Sequence, residues 1–437
     1  MSPSSLSSLV RVYAVLNLRP DDAENAEASL EPVWHSMCGD VPGVRADPIP
    51  PLIRGAAALA HPAFADHGLD DLLGFIDRPA LTPQDRAALI LDTALAHELR
   101  FRPSHAEALQ REALATCRLF RVAGGFAPRS DRPLRLLALV APGNLMVNTP
   151  LDFITAHLDV QLDLLFVLPG ERLPPTVPEH DVAFFAVSES DPAALDRLRP
   201  LFARWPRPAL NDPAAVARLS RDTLANGLAG RPGLCSPPAR RVERGSLASR
   251  QVPLHGPVLI RPVGSHAGQN LRRLDGPANL TAYLQGATAD VFFLTQFVDY
   301  RGADGLFRKY RVACIDGAPF LCHMAVSEYW MVHYLNARMG TNAARRAEEA
   351  RVMAEFDTGF AVRHAAALDA LNEWMGLDYF QVDCAETPDG RLLVFGADVA
   401  AIIHLMDPPD VFPYKPAQMR RVFNAFDRML RRRAGRP

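Results

Sequence analysis

Apolar residues recur at helical spacing through the first 130 residues of the chain. The segments LDDLLGFI (69–76) and QDRAALILDTALAHELRF (84–101) place apolar side chains three and four positions apart, with Pro and Gly between the segments. This pattern predicts a helical N-terminal domain over residues 1–130 with no convincing strand. Two arrangements are possible, a plain helical bundle and a degenerate helical repeat. The lack of a clean period of about 34 residues favours the bundle.

The pattern changes near residue 131, where short continuous apolar runs begin. LRLLALVA (134–141), DLLFVLPG (163–170) and VAFFAVSES (182–190) follow one another, and the amphipathic segment DPAALDRLRPLFARW (191–205) comes after them. Continuous apolar strands alternating with amphipathic helices are typical of a parallel sheet covered on both faces. We therefore expect an α/β domain over residues 131–212.

The remainder of the chain, residues 213–437, predicts a third domain of a different kind. The segment 233–257 is rich in Pro, Gly, Ser and Arg and is typical of a connection. From Pro257 onward the strands are spaced as hairpins, which indicates an α+β region. The C-terminal RRVFNAFDRMLRRRAGRP predicts an amphipathic helix, whose basic end is favourable at a helix C-terminus.

Composition excludes several classes of protein. The 437 residues carry 47 Lys and Arg against 49 Asp and Glu, a net charge of −2, so bulk nucleic-acid binding is disfavoured. The six cysteines are scattered without metal-ligand spacing, as in a cytoplasmic protein with reduced thiols. A secretory leader pattern and an apolar run of transmembrane length are both absent from the sequence, so we expect a cytoplasmic protein that does not associate with membranes.

A glycine-containing loop follows one of the predicted strands. In PVLIRPVGSHAGQNL the strand ends at Arg261, and the loop holds Gly264, Ser265, His266 and Gly268. Closely spaced glycines let backbone N–H groups approach a phosphate, and an adjacent cation neutralises its charge. The spacing is neither that of a Walker loop nor that of the dinucleotide fingerprint, so an ordinary hairpin loop is an equal alternative.

A second concentration of cations lies in the strand FRKYRVACI. Because side chains alternate along a strand, Lys309 and Arg311 share one face and Arg308 points to the other. This face is either a solvated sheet surface or a basic wall for anionic groups of a ligand. The following stretch HMAVSEYWMVHYLNARM (323–339) is a candidate part of a substrate site, with helix packing of Trp330 and Tyr334 as the alternative.

The last two strands, LDYFQVDCAE and RLLVFGADV, are joined by TPDG, which predicts an antiparallel hairpin. Pairing Glu386 with Arg391 places Asp383, Gly396 and Asp398 on one face. In this register Asp398 lies about 13 Å along the strands from Asp383, whereas position 396 lies at about 7 Å. An acid at 396 would be the better partner for a metal ion bound at Asp383.

The order of these features resembles the ATP-grasp superfamily, especially the branch that contains glutathione synthetases and ribosomal-protein glutamate ligases. The resemblance covers about residues 131–433 and implies a pre-ATP-grasp α/β domain (131–212) and an ATP-grasp domain (213–437). It implies nucleotide contacts at Arg221, Arg261, Ser265, His266, Gly268, Gln296, Phe297, Val298 and Lys309. It also implies catalytic roles for Arg261 and Arg311, and metal ligands at Asp383 and Asp398.

The chain departs from the family pattern at three of these positions. Arg261 replaces the more usual lysine and so changes a point donor into a planar fork. Lys309 stands where this branch often has a ribose-binding aspartate. Gly396 stands where an acid would bridge two magnesium ions, so Asp383 and Asp398 are left to hold one ion with the nucleotide phosphates.

The resemblance implies an ATP- and Mg²⁺-dependent carboxylate–amine ligase that forms an amide through an acyl phosphate. Small-molecule or peptide carboxylates and amines are its implied substrates, with no nucleic acid. The alternative is a nucleotide-binding or scaffolding protein of the same fold that has lost efficient chemistry, which Gly396 favours. The N-terminal helical domain is expected to pack on the catalytic part or to form a homodimer, and recognition of a peptide or partner protein is the alternative.

Overall fold

The chain divides into two compact units in the computed structural model. The first comprises Met1–Ala217, Val399–Met406 and Arg420–Pro437, and the second comprises Arg218–Asp398 and Asp407–Met419. The structure describes residues 43–45, 50–64, 81–123, 130–249, 251–265, 268–333 and 336–436. The two units are described separately below.

The first unit contains helices and predominantly short strands. Its strands are β1 (Gly43–Arg45), β2 (Leu52–Ile53), β3 (Leu119–Val122), β4 (Leu134–Val140), β5 (Val160–Phe166), β6 (Thr176–Pro178), β7 (Val182–Phe185) and β8 (Ala209–Leu210). Its helices are α1 (Ala56–Phe64), α2 (Pro83–Leu99), α3 (Pro103–Thr116), α4 (Leu151–Thr155), α5 (Pro192–Phe202) and α6 (Pro213–Val216).

A six-stranded sheet of order β2-β3-β5-β4-β7-β8 forms the centre of this unit. β4 pairs in parallel with β5 and β7, and β7 pairs in parallel with β8. Leu136, Leu137 and Leu139 on β4 are at most 1% exposed, so both faces of the sheet are covered. The predicted parallel α/β arrangement is confirmed, and α5 forms from the predicted amphipathic segment.

The expectation of no strand within residues 1–130 is wrong. β2 and β3 extend the six-stranded sheet, and β1 pairs with β6. Strands of two to four residues are too short to show a periodic pattern, and pairing with a neighbour is what defines them. The predicted helix at 84–101 is confirmed as α2, which Thr82 caps by accepting a hydrogen bond from the Asp85 N–H at 3.1 Å. The segment 69–76 lies outside the described residues.

The second unit is built from hairpins and the helices between them. Its strands are β9 (Leu234–Cys235), β10 (Ala239–Glu243), β11 (Val258–Pro262), β12 (Arg272–Leu274), β13 (Val291–Gln296), β14 (Phe307–Ile315), β15 (Ala318–Ser327), β16 (Tyr379–Glu386) and β17 (Leu392–Asp398). Its helices are α7 (Arg221–Leu228), α8 (Arg244–Ala248), α9 (Pro277–Gly286), α10 (Ala343–Ala354), α11 (Phe360–Arg363) and α12 (Ala365–Met375). The last helix of the chain, α13, spans Lys415–Arg433, and its residues from Arg420 onward belong to the first unit.

Two sheets form the second unit, with strand orders β10-β13-β11-β12 and β15-β14-β16-β17-β9. All pairs are antiparallel except β17 with β9. The predicted α+β character after Pro257 is therefore confirmed. Val312, Phe380 and Val382 of the five-stranded sheet are completely buried and supply part of its core.

Two further findings bear on the composition. Within the described residues, none of the helices combines the length and apolar character needed to span a bilayer. Five of the six cysteines are described, and all five are free thiols: Cys117, Cys235, Cys314, Cys322 and Cys384.

A glycine near the end of α7 allows that helix to lie against a tryptophan of α12. A Cβ added at Gly227 would lie 2.2 Å from Cζ2 of Trp374, far inside van der Waals contact. Replacing a helical glycine with alanine ordinarily stabilises a helix by roughly 0.5–1 kcal/mol. Here we predict the opposite, a loss of about 1–2 kcal/mol for Gly227→Ala, because overpacking outweighs the gain in helix propensity.

Chemical denaturation of the two variants Gly227→Ala and Gly245→Ala tests this prediction. Gly245 lies in α8, and a Cβ there would meet nothing within 4 Å, so the second variant is the matched control. We expect the free energy of unfolding to fall in Gly227→Ala and to stay level or rise in Gly245→Ala. Equal effects in both variants would contradict the steric argument.

Candidate functional site

The site that the structure brings together is a row of residues across three neighbouring strands. Arg311 on β14 lies opposite Asp383 on β16, and Asp383 lies opposite Gly396 on β17. Residues directly opposite each other in an antiparallel pair share a face of the sheet. The prediction that Asp383 and Gly396 share a face is thereby confirmed.

The Asp383 carboxylate is held between two cations. Arg311 donates from Nε to Oδ1 at 2.8 Å and from Nη2 to Oδ2 at 3.0 Å, and Lys309 Nζ lies 2.7 Å from Oδ2. Burial opposes ionisation of this group, but the adjacent Arg311 and Lys309 outweigh it and hold the pKa of Asp383 well below its usual range. Both Lys309 and Arg311 therefore face the same side of β14, as strand alternation predicts.

On the opposite side of β14, Arg308 forms two separate ion pairs. Arg308 donates to Asp304 at 2.6 Å and from Nε to Glu348 at 2.5 Å. This arrangement confirms that Arg308 and Lys309 point in opposite directions. Only Lys309 and Arg311 of this strand contribute charge near Asp383.

Arg261 is a buried cation at the end of β11. It is only 8% exposed, its Nε donates to Ser265 Oγ at 3.0 Å, and its Nη2 donates to the Ser265 carbonyl oxygen. Burial lowers the pKa of Arg261, and the charge of Arg221 lowers it further. Within the described part of the chain, the hydrogen-bond partners of this guanidinium are uncharged, so an anionic ligand would relieve an unfavourable potential.

Arg221 begins helix α7 and reaches β17. Its Nη1 donates to the Phe395 carbonyl oxygen at 3.4 Å and lies 3.2 Å from the position that a Cβ on Gly396 would occupy. The absence of a side chain at 396 thus leaves room for a guanidinium. We refer to Arg221, Arg261, Lys309 and Arg311, with Asp383, as the cationic cluster.

The register of the closing hairpin differs from the expectation. Glu386 pairs with Leu392 and not with Arg391, and an irregularity between Asp383 and Cys384 shifts the pairing by one more residue. Asp398 consequently lies opposite Gln381, two residues from Asp383, or about 7 Å along the strand. The predicted distances along the strands, about 13 Å for Asp398 and about 7 Å for position 396, are therefore both wrong, since Gly396 lies directly opposite Asp383. Neither the pairing next to the turn nor the irregularity has a signature in the strand sequences.

The glycine loop after β11 is described at Ser265 and Gly268, and His266 lies outside the described residues. The Ser265 hydroxyl forms its hydrogen bonds within the protein. It donates to the Pro262 carbonyl oxygen at 2.7 Å and accepts from Arg261. Gly268 has a φ of 76°, and a Cβ there would lie 2.4 Å from His333 Nε2. Gly268 is therefore required by backbone conformation and by packing.

The predicted adenine hinge lies at the end of β13. Gln296 donates to the Pro257 carbonyl oxygen at 2.9 Å, and Val298 packs against a buried apolar cluster. Phe297 is 8% exposed, contacts the Trp330 ring edge to face at 5.6 Å between centroids, and has Arg273 at 4.3 Å from its ring centroid. These contacts hold the hinge in a fixed conformation.

A cavity of about 700 Å³ adjoins this region and is bordered by Arg272, Arg273, Tyr329, Trp330 and Asn336. Tyr329 is 65% exposed, and residues 328–333 are not helical. The alternative that Trp330 serves helix packing is therefore wrong, while Tyr334 lies outside the described residues. Asp275 also borders the cavity and forms an ion pair with Arg273 at 2.8 Å, so this candidate substrate site has two cationic, one acidic and two aromatic side chains.

His333 is a neighbour of the cluster that sequence reasoning missed. Burial lowers its pKa to about 4, and the charge of Lys309 contributes in the same direction. At neutral pH the imidazole is therefore uncharged and adds no charge to the cationic cluster. No motif or spacing marks this residue, since its proximity to Gly268 arises only in the folded chain.

The residues present do not fit the magnesium site expected at Asp383 and Asp398. Both oxygens of Asp383 bind cations, and the place of an acid at 396 is taken by the Arg221 guanidinium. Among the residues that the structure describes, no group of three or more His, Cys, Asp and Glu side chains is placed to hold a metal ion. A divalent cation bound here would be repelled by several positive charges at short range.

Comparison with solved structures finds similarity to a RimK domain protein ATP-grasp and to D-alanine ligases. A RimK domain protein ATP-grasp from Sphaerobacter thermophilus is 15% identical with a TM-score of 0.39, over 68% of this chain and 99% of that one. The VanG D-Ala:D-Ser ligase from Enterococcus faecalis is 12% identical with a TM-score of 0.42, over 68% and 100%. The D-alanine–D-alanine ligase from Bacillus anthracis complexed with ATP is 11% identical with a TM-score of 0.39, over 69% and 96%.

At these identities and TM-scores the neighbours assign no residue role and no activity to this chain. No protein-family model matches the chain, and no curated protein matches it.

The pairing of Asp383 makes a prediction about stability. Replacing Asp383 with Asn removes the negative charge while Lys309 and Arg311 stay close together, so we expect the second unit to lose on the order of 3 kcal/mol in free energy of unfolding. Denaturant titration of Asp383→Asn measures this loss. Asp275→Asn is the control, because Asp275 forms an ion pair with Arg273 at 2.8 Å but is 61% exposed, and its loss should cost less than about 1 kcal/mol. Equal losses would show that the Asp383 pairs are energetically unimportant.

Proposed function

We propose that this chain is an ATP-dependent carboxylate–amine ligase of the ATP-grasp type and that the cationic cluster binds the nucleotide polyphosphate. The observation that carries the proposal is the buried Arg261, which has uncharged partners and lies within electrostatic reach of Arg221. A polyphosphate supplies the negative charge that this arrangement lacks. Lys309 and Arg311 extend the positive region along β14.

The proposed reaction has two steps. An oxygen of the substrate carboxylate attacks the γ-phosphorus, which forms an acyl phosphate and releases ADP. The amine nitrogen then attacks the acyl carbon, which forms the amide and releases phosphate and a proton. The protein contributes mainly positioning and stabilisation of negative charge, for which Arg261 and Arg311 are the proposed groups. No covalent intermediate with the protein is needed.

The arrangement of the nucleotide in this proposal follows from the neighbouring elements. The hinge at Gln296, Phe297 and Val298 would border the base, and the phosphates would extend toward Arg261. The cavity beside Arg272 and Arg273 would take a substrate, because Arg272 offers a cation to an anionic carboxylate, while Arg273 is paired with Asp275. Its aromatic side chains, Tyr329 and Trp330, suit an apolar or peptide portion of the same molecule.

A second candidate function is nucleotide binding without turnover. It is favoured by the state of the closing hairpin, in which Asp383 is neutralised by two cations and Gly396 offers no carboxylate. The fold alone does not establish activity. The two candidates share the polyphosphate site and differ only in the chemistry that follows binding.

Phosphate release separates the two candidates. We predict ATP-dependent phosphate release in the presence of a paired carboxylate and amine, with an amide product identified by mass spectrometry. Panels of amino acids and short peptides, assayed with and without ATP, provide the measurement. Nucleotide binding without release in any pair would select the second candidate, and release without an amide product would indicate simple hydrolysis.

Binding measurements test the role of Arg261. We predict that Arg261→Gln weakens ATP binding by about tenfold or more, because a hydrogen bond between a guanidinium and a phosphate is lost in a buried position. Arg240→Gln removes an equal charge from an exposed position on β10 and should leave the affinity unchanged. Calorimetry gives both affinities. If Arg261→Gln binds ATP as tightly as the native chain, the phosphates lie elsewhere.

A further inference from the structure

The closing hairpin of the second unit presents positive charge where a metal ion would need carboxylates. The guanidinium of Arg221 lies 3.2 Å from the Cβ position of residue 396 and donates to the carbonyl oxygen of the preceding residue, Phe395. A carboxylate that extended from 396 would meet this guanidinium before it met a metal ion. The glycine and the arginine therefore act together, because the missing side chain provides the space that the cation occupies.

The carboxylate that does face this space is already neutralised. Lys309 and Arg311 contact both oxygens of Asp383 at 2.7–3.0 Å. To bind a metal ion, Asp383 would have to exchange two charged partners for one, with both cations left close to the ion. Repulsion between two like charges about 4 Å apart near a protein surface costs about 4 kcal/mol. Asp383 is thus better suited to orienting Lys309 and Arg311 than to binding a cation.

The net charge of the cationic cluster also disfavours a metal ion and favours an anion. Four cations, Arg221, Arg261, Lys309 and Arg311, stand against Asp383 and the nearby Asp398. A nucleoside triphosphate without a metal ion carries more negative charge than its magnesium complex. The metal-free polyanion therefore complements the cluster better than the complex does.

We propose that Arg221 takes the place of a divalent metal ion, so that the second unit binds the polyphosphate of a nucleotide in its metal-free form. This inference rests on the proposed polyphosphate site but is independent of any ligase turnover. Arg221 and Arg261 contact the phosphate oxygens, while Asp383 keeps Lys309 and Arg311 in position beside them. Magnesium competes with the protein for the same phosphate oxygens and weakens binding.

Calorimetry of the full chain with ATP tests the proposal without any substitution. Titrations are run at one ionic strength, first with EDTA and no divalent ion and then with magnesium in excess over ATP. We expect the dissociation constant in EDTA to be lower than that in magnesium. Binding that requires magnesium, or is as tight or tighter with it, overturns the inference and leaves the proposed function standing. No binding in either condition overturns both.

Two variants locate the effect at Arg221. Arg221→Gln should weaken metal-free ATP binding by about tenfold or more, since a charge-assisted contact is lost. The exposed Arg240→Gln removes the same charge outside the cluster and should leave binding unchanged. Thermal unfolding of each variant without ligand verifies that it is folded. An Arg221→Gln variant that is folded and binds metal-free ATP normally contradicts the proposal.

Restoring an acid provides a separate test. In Gly396→Glu the new carboxylate meets the flexible end of the Arg221 side chain, so the variant should fold, pair internally and gain no preference for magnesium. In the double variant Arg221→Ala with Gly396→Glu, the acid is no longer paired with Arg221, and we expect ATP binding to become tighter with magnesium than with EDTA. A magnesium preference in the single variant would show that Arg221 does not occupy the place of the acid.

Discussion

The interaction on which the second unit depends is the pairing of one carboxylate with two cations on the adjacent strand. Asp383 lies on β16, and Lys309 and Arg311 lie on β14, so the ion pairs cross the centre of the five-stranded sheet. All three side chains are at most 21% exposed, which makes each charge costly without its partners. The two cations can lie together on one face of the sheet because the Asp383 carboxylate on the adjacent strand contacts both of them.

This pairing determines what kind of ligand the face can accept. A carboxylate that is already neutralised attracts further cations weakly, whereas the guanidinium groups around it still attract anions. The buried Arg261 on β11 and the Arg221 side chain of α7, beside Gly396, add to this attraction for anions. The charges around the closing hairpin therefore favour an anionic ligand over a metal ion, which is the basis of the proposed polyphosphate site.

Much of the fold was predictable, because its strands and helices have strong local signals. The continuous apolar runs at 134–141 and 182–190 predicted parallel strands, and TPDG predicted the last hairpin, since both depend on neighbouring residues alone. Strand alternation correctly placed Lys309 and Arg311 on one face. β2 and β3 were missed because two to four residues carry no period, and their pairing partners are distant in sequence.

The site was less predictable than the fold. The register of the closing hairpin depends on an irregularity after Asp383, which no residue type specifies, and a shift of one residue changes every cross-strand distance. Lys309 and Arg311 both pair with Asp383 because β14 and β16 are neighbours in the sheet, and the sequence does not specify that order of strands. The position of Arg221 over Gly396 joins residues 175 positions apart in the chain, and only packing of α7 brings them together.

The close approach of Gly227 to Trp374 has a consequence for the far end of α7. This helix has eight residues, and Arg221 stands at its first position while Gly227 stands near its last. A helix of eight residues is about 12 Å long, so the indole contact and the arginine lie within two turns of each other. A change of side chain at the aromatic contact would displace the end of α7 that meets α12. Under the proposed function, such a displacement could alter nucleotide affinity through Arg221, although Trp374 itself is not one of the proposed ligand contacts.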